Sequence, residues 1–267
     1  MKFVHCNPMK QLLILFTFFS ISCFSQEEIS TELIETKTLN ADKLVAIDNF
    51  EATYFIKNNA IKKVTAKDTL NYSNFQLGQI SSANAFNPLK INLFYSDFNT
   101  VIILDNRLAE VAKIDFNSAE NYKNITYVTT GFDNTIWIYN QDFQYLELYD
   151  YQTKKTRYKT IPVSSKVLDL TSNYNYCWLL TENFLYCYNY FGSVVYKLPN
   201  SGFTNLQATK ENLIIKGKDG LIYYNSKDQT QKAIKTSNML INQFFVTNQI
   251  LYIYTLKTLS KFQLKTD

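Results

Sequence analysis

Histidine is almost missing: the 267 residues hold one, His5, at the extreme N-terminus. Everything after it lacks an imidazole. That excludes Ser-His-Asp and Cys-His catalysis, histidine general bases and histidine metal sites from the rest of the chain. No G-x-G-x-x-G, P-loop or G-x-S-x-G pattern is present, and no alternating aspartates form a calcium loop. No cofactor is therefore expected. Six glycines and four prolines are too few to build a linker, so no Gly- or Pro-rich segment divides the chain. Asparagine is expected to replace glycine at turns, because it tolerates the left-handed backbone. A formal charge of +4 gives no electrostatic case for nucleic acid. Apolar runs are short, with one exception at the N-terminus.

That exception reads as an export signal over residues 1–25. Lys10 supplies the positive region, Leu12 to Phe19 the apolar region, and Cys23-Phe24-Ser25 a small-x-small site with cleavage between Ser25 and Gln26. The run is shorter than the ~20 residues of a spanning helix. Met9-Lys10 is a better translation start than Met1-Lys2, since residues 1–8 add nothing to the signal. Ser20-Ile21-Ser22-Cys23 offers a rival reading, in which Cys23 is lipidated and the protein is an outer-membrane lipoprotein. Cleavage of residues 1–25 removes Lys2 and Lys10 and lowers the formal charge from +4 to +2. The expected location is the periplasm or the exterior.

What is abundant is aromatic: 20 Tyr, 20 Phe and 2 Trp. Aromatic and β-branched residues make short strands, and one hydrophobic strand recurs six times, anchored on Phe55, Phe94, Trp137, Trp178, Ile214 and Tyr252. The spacings of 39, 43, 41, 36 and 38 residues match the length of a four-stranded propeller blade. The expected fold is all-β, a six-bladed β-propeller over residues 26–267. Its blades run approximately 41–75, 78–117, 122–161, 164–199, 201–236 and 239–267. The last unit lacks a fourth strand, and the spare strand Ser30–Glu35, within 29–38, is expected to complete it and close the ring. A β-sandwich also uses many short strands, but it has no reason to repeat at blade length.

Several residues are candidates for chemistry. Asp48, Asp97, Asp133 and Asp169 fall near strand ends, where a facing pair could act on a sugar; turn hydrogen bonding explains the same positions. First strands carrying Ser81, Ser82, Thr129, Thr171 and Thr247 suggest a hydroxyl-lined channel. Trp137 and Trp178 could stack sugars or fill the space between blades. Cys177 and Cys187 flank a hairpin. A three-residue loop Thr181–Asn183, with Asn183 left-handed, would set them directly opposite at about 4.5 Å between Cα atoms, close enough for a disulfide. A one-residue register change would leave two reduced, packed thiols. Lys154, Lys155, Arg157, Lys159, Lys227 and Lys232 mark outer strands and would discourage edge pairing or meet an anionic surface. Asn71-Tyr72-Ser73 and Asn124-Ile125-Thr126 match the eukaryotic N-glycan sequon.

The ending Phe24-Ser25-Gln26 resembles that of many exported Bacteroidetes proteins, and Asp68-Thr69-Leu70 resembles their short O-glycosylation motif. With the repeat and the strand closure, the chain resembles the divergent propellers of that group. Neither the Gly-His…Trp-Asp pair of WD repeats nor the double glycine of kelch repeats is present. The resemblance implies a non-catalytic envelope module that binds a protein, peptide or glycan. The alternative is a carboxylate-only glycoside hydrolase or lyase.

Overall fold

The computed structural model describes residues 28–118, 122–236 and 239–265. The signal, Cys23, the Ser25–Gln26 cleavage site and His5 lie outside them. The described residues form 24 strands and two short 3-10 turns, Phe75–Leu77 and Ser96–Phe98. Strand β1 (Glu28–Thr38) precedes a series of up-and-down sheets. The first sheet is β2 (Lys43–Ile47), β3 (Thr53–Lys57), β4 (Ala60–Val64) and β5 (Thr69–Tyr72). The second is β6 (Ser82–Asn84), β7 (Ile91–Tyr95), β8 (Thr100–Leu104) and β9 (Glu110–Asp115). The third is β10 (Ile125–Thr130), β11 (Thr135–Asn140), β12 (Tyr145–Asp150) and β13 (Lys155–Lys159). The fourth is β14 (Val167–Ser172), β15 (Tyr176–Thr181), β16 (Phe184–Asn189) and β17 (Val194–Pro199).

The remainder differs from six separate four-stranded sheets. The four strands β18 (Asn205–Thr209), β19 (Asn212–Lys216), β20 (Leu221–Asn225) and β21 (Thr230–Lys235) are hydrogen-bonded through β1 to β24 (Thr258–Lys265), β23 (Ile250–Thr255) and β22 (Gln243–Thr247). They make one eight-stranded sheet. The N-terminal strand does pair beside the last unit, antiparallel to β24 from Ser30↔Lys265 to Thr38↔Thr258, with a bulge at Ile34. Its first three residues also pair in parallel with Ala233–Lys235 of β21, which fuses the two units. Ile29 is buried beside Ile234 and drives that second pairing.

The core is a circle of separate clusters, each filling one gap between neighbouring units. Tyr54 and Ile91 meet between the first two sheets, Phe94 and Ile136 between the next, and Trp137 and Leu179 between the third and fourth. Trp178 and Leu213 continue the circle, then Ile214 and Leu251, and Leu44 with Tyr252 closes it. Both tryptophans are 0% exposed, so they pack units together and are not available for stacking a sugar. Each is central because an aromatic ring removes a large apolar area from water at the seam between two sheets.

Asparagine takes over from glycine only in part: Asn58, Asn59, Asn99 and Asn248 have φ between 47 and 57, but other left-handed positions carry Glu51, Leu108, Gln144, Lys154 and Leu256 among others. The first strands are laced by side chains. Asn84 bonds Thr129 and Thr130, Thr129 bonds Ser172 at 3.0 Å, and the Thr247 hydroxyl donates to the Ile47 carbonyl at 2.5 Å. Thr129 and Thr247 are thus committed to holding neighbouring units together. The outer strand β13 is basic, as expected, but Arg157 folds back onto the buried carboxylate of Asp150 at 2.6 Å, and Lys159 onto Tyr145 at 3.1 Å. No helix among the described residues is long and apolar enough to cross a membrane.

Candidate functional site

The beginnings of β2, β6, β10, β14, β18 and β22 converge on one cavity of about 550 Å³, so all six strands start at the same end of a shared axis. This wide mouth is polar. Lys43, Asn84, Asp169, Asn205, Gln207 and Gln243 reach it, with Ser81 and Ser82 at its edge. Ala85, Phe86, Gln207 and Phe245 line it and also line a second cavity of about 370 Å³ at the other end of the axis, so these residues, with the two rings the largest of them, mark where the mouths meet. The second mouth is built from turns that follow the first strands, including Asp48–Phe50 and Thr247–Asn248.

Some mouth residues are already engaged. The Gln243 Oε1 atom accepts from the Leu44 amide at 2.8 Å, joining the last unit to the first. The Asp169 carboxylate accepts from the amides of Leu170 at 2.9 Å and Leu206 at 2.7 Å, joining the fourth unit to the fifth. Burial pushes its pKa up to about 6, against the opposing pull of those amides and of Lys43. Lys43 Nζ reaches only the Ser81 carbonyl, at 3.5 Å.

The four candidate aspartates are not brought together. Asp169 lines the wide mouth and Asp48 the narrow one. Asp48 accepts the amides of Phe50 and Ala52, both at 2.9 Å, and the Tyr54 hydroxyl at 3.0 Å. Asp97 is exposed in a 3-10 turn, and Asp133 sits in a left-handed turn with φ 44. Turn chemistry accounts for Asp48, and the geometry provides no facing carboxylate pair among the four. Among the described residues no group of three or more His, Cys, Asp or Glu side chains could hold a metal ion.

The cysteine register is a correction. Leu180 faces Leu185, Trp178 faces Cys187, and Cys177 faces Tyr188. The loop is Glu182–Asn183, one residue shorter than expected, because the Thr181 hydroxyl closes it with two 3.0 Å bonds to the Phe184 backbone. Asn183 does not adopt the left-handed conformation. The one-residue change sends Cys177 and Cys187 to opposite faces of the sheet, where Cys177 packs with Trp137 and Cys187 with Trp178. Both thiols are free and buried; burial raises the Cys187 pKa to about 12 and also pushes the Cys177 thiol well up. Peptide mapping without reductant should find both alkylated after denaturation. A linked peptide pair would overturn this register.

Sequence reasoning missed Lys43, Asn205, Gln207 and Gln243 as mouth residues and Phe86 and Phe245 as the rings where the mouths meet. Their signal is positional: all but Phe86 lie on a first strand, and Lys43, Asn205 and Gln243 each open theirs.

No described protein family matches the chain, and no curated protein matches it. Solved structures do. A catalytically inactive histidine-to-alanine variant of virginiamycin B lyase from Staphylococcus aureus with quinupristin superposes with a TM-score of 0.60, at 12% identity over 91% of this chain and 98% of that one. BamB from Moraxella catarrhalis gives 0.53 at 10% identity, over 89% and 98%. A chain of the mitotic checkpoint complex gives 0.59 at 8%, over 91% and 95%. The class these define is the β-propeller-like fold of four-stranded blades. At such identities the likeness concerns the fold alone.

Proposed function

We propose that the chain is a non-catalytic envelope β-propeller that binds a protein, peptide or glycan at its wide mouth. In this reading the eight-stranded sheet counts as blades five and six, joined through β1, and the ring over 26–267 has six blades of the exported Bacteroidetes type. Residues 1–25 direct export, to the periplasm or exterior by cleavage before Gln26, or to the outer membrane by lipidation of Cys23.

The observation that carries the reading is the composition of the wide mouth. It offers amides, hydroxyls and one ammonium, but a single aspartate whose two oxygens already hold backbone amides. Such a surface can hydrogen-bond a ligand, whereas acid/base work on a sugar needs a second carboxylate at a defined distance. The lyase among the similar structures is inactivated by loss of a histidine, and this chain has none after His5.

The test uses the purified chain against a panel of polysaccharides and random dodecapeptides. Binding to at least one, weakened tenfold or more by Asn205→Trp, supports the reading. Turnover of a polysaccharide that is abolished by Asp169→Asn overturns it and makes the chain a carboxylate-dependent hydrolase or lyase.

A further inference from the structure

Phe50 is 90% exposed, yet its backbone is pinned in a turn. The Asp48 carboxylate fixes its amide at 2.9 Å and that of Ala52 at 2.9 Å, and Glu51 beside it adopts φ 63. Glu51 is itself tied to Lys261 at 2.7 Å. A large apolar ring in water, on a backbone that has accepted a left-handed residue, is presented at a cost to stability. Two cavities meet at this ring. On one side is the narrow mouth of the axis, about 370 Å³, with an apolar wall of Ala85, Phe86, Pro88, Phe245 and Val246 and a polar one that includes Gln207, Thr209 and Lys210. On the other is a groove of about 300 Å³ between the first unit and the closing strands, walled by Glu35, Lys37, Thr65, Tyr252 and Lys261. Phe50 and Ile47 line both.

We infer that Phe50 is the central anchor of a second binding surface, which takes an extended peptide segment of a partner protein across the ring. Alternate side chains of an extended strand lie on one face about 6.6 Å apart, roughly the width of one intervening aromatic ring. A segment crossing Phe50 can therefore drop residue i into the apolar mouth and residue i+2 into the groove. The mouth selects an apolar residue. The groove selects a polar one of no net charge, because Glu35, Glu51, Lys37 and Lys261 balance one another. A glycan would find partners only on the Gln207–Thr209–Lys210 side and leave hydroxyls unpaired along Ala85, Phe86 and Val246, whereas an apolar side chain fits that wall directly. A lipid surface is disfavoured by four charged groups beside the ring, which resist transfer to an apolar phase. The preformed turn lowers the ordering cost of binding, and an aromatic anchor at the centre of a concave patch is where binding energy concentrates.

Phe50 and Thr209 line this surface and not the wide mouth, while Lys43 and Asn205 line the wide mouth and not this surface, so variants at these positions test the two separately. A phage-displayed dodecapeptide library is selected against the purified chain. The expected result is a shared apolar-x-polar pattern, bound at least tenfold more weakly by Phe50→Asp and by Thr209→Arg, which narrows the mouth from another wall, and unchanged by Asn205→Trp. Phe50→Asp should leave melting unaltered at so exposed a position; if it does not, Thr209→Arg decides. Three results overturn the inference: no enrichment over Phe50→Asp, peptides that bind all variants alike, or Phe50-dependent binding of phosphatidylethanolamine–phosphatidylglycerol vesicles without peptide binding.

Discussion

Removing residues 28–38 lowers the melting temperature of the whole ring by 10 °C or more, or leaves an aggregating chain, and does not merely fray one end. The strand β1 supplies the fourth strand to the last unit along eight paired positions, and through Glu28–Ser30 it also clasps β21. Its loss opens the edge of β24 and uncovers Phe262, Leu264 and Ile234, which are 3–5% exposed when Ile29 covers their cluster. Burial of one Ile side chain is worth about 2–3 kcal/mol, and each ladder hydrogen bond adds about 1 kcal/mol net. Ile29 together with only two or three of those bonds already reaches about 5 kcal/mol, comparable to the whole stability of an ordinary domain. For a chain of this size each kcal/mol moves melting by about 2–4 °C. An open β24 edge would also recruit other chains. Calorimetry and light scattering on a chain beginning at Leu39 make the measurement. A monomer with unchanged melting would refute the clasp. Restoration by the 28–38 peptide added in trans would show that pairing, not chain length, is responsible.

The repeat was legible because a blade is a local object. Four short strands within about 40 residues leave a periodic trace in aromatic and β-branched positions, and tight turns such as Lys57-Asn58-Asn59 punctuate it. The spare strand Ser30–Glu35 was legible for the same reason, as an unpaired count. What was not legible depends on single-residue register or on contacts between units. The 177–187 hairpin turned on whether Thr181 closes a two- or three-residue loop, and its hydroxyl decides that. The parallel clasp between Glu28–Ser30 and Ala233–Lys235 spans some 200 residues and has no local signature. Thr129 looked like a channel hydroxyl because alternation fixes the face of a strand but not the partner within reach, whereas Thr247 does line the narrow mouth while bonding the Ile47 carbonyl. The first strands and Ser81 and Ser82 were legible as channel lining, but Lys43, Asn205, Gln207 and Gln243 joined them only once six distant strand openings were placed on one axis.

The largest single-residue effect is expected at Lys90, which nothing in the repeat pattern singles out. Its side chain leaves the second unit and enters the turn of the third, where its ammonium donates to the carbonyls of Gly131 at 2.7 Å, Asp133 at 2.6 Å and Thr135 at 3.2 Å. The residue is 6% exposed and no carboxylate side chain neutralises it within hydrogen-bond reach. Substituting Lys90→Met strands three inward carbonyls and should cost about 3 kcal/mol at pH 7. Burial pulls the Lys90 pKa down to about 8, opposed by the charge of Asp133. In the unfolded chain the same lysine titrates near 10.4. Between about pH 8 and 10 the unfolded chain therefore binds more protons than the folded one, and stability rises with pH there. Lys90→Met has no such proton to release. The stability gap between the two proteins should consequently widen as pH increases from 7.5 to 9.5, by up to about 1.4 kcal/mol per unit. Denaturant unfolding of both at three pH values measures it. A gap that stays constant would mean that the carbonyl cage, not burial, sets the proton affinity of Lys90; a gap that narrows would mean the ammonium is favoured in the fold. The cage joins two units through one cation, so the same experiment reports how tightly neighbouring blades are held by a contact outside their shared apolar seam.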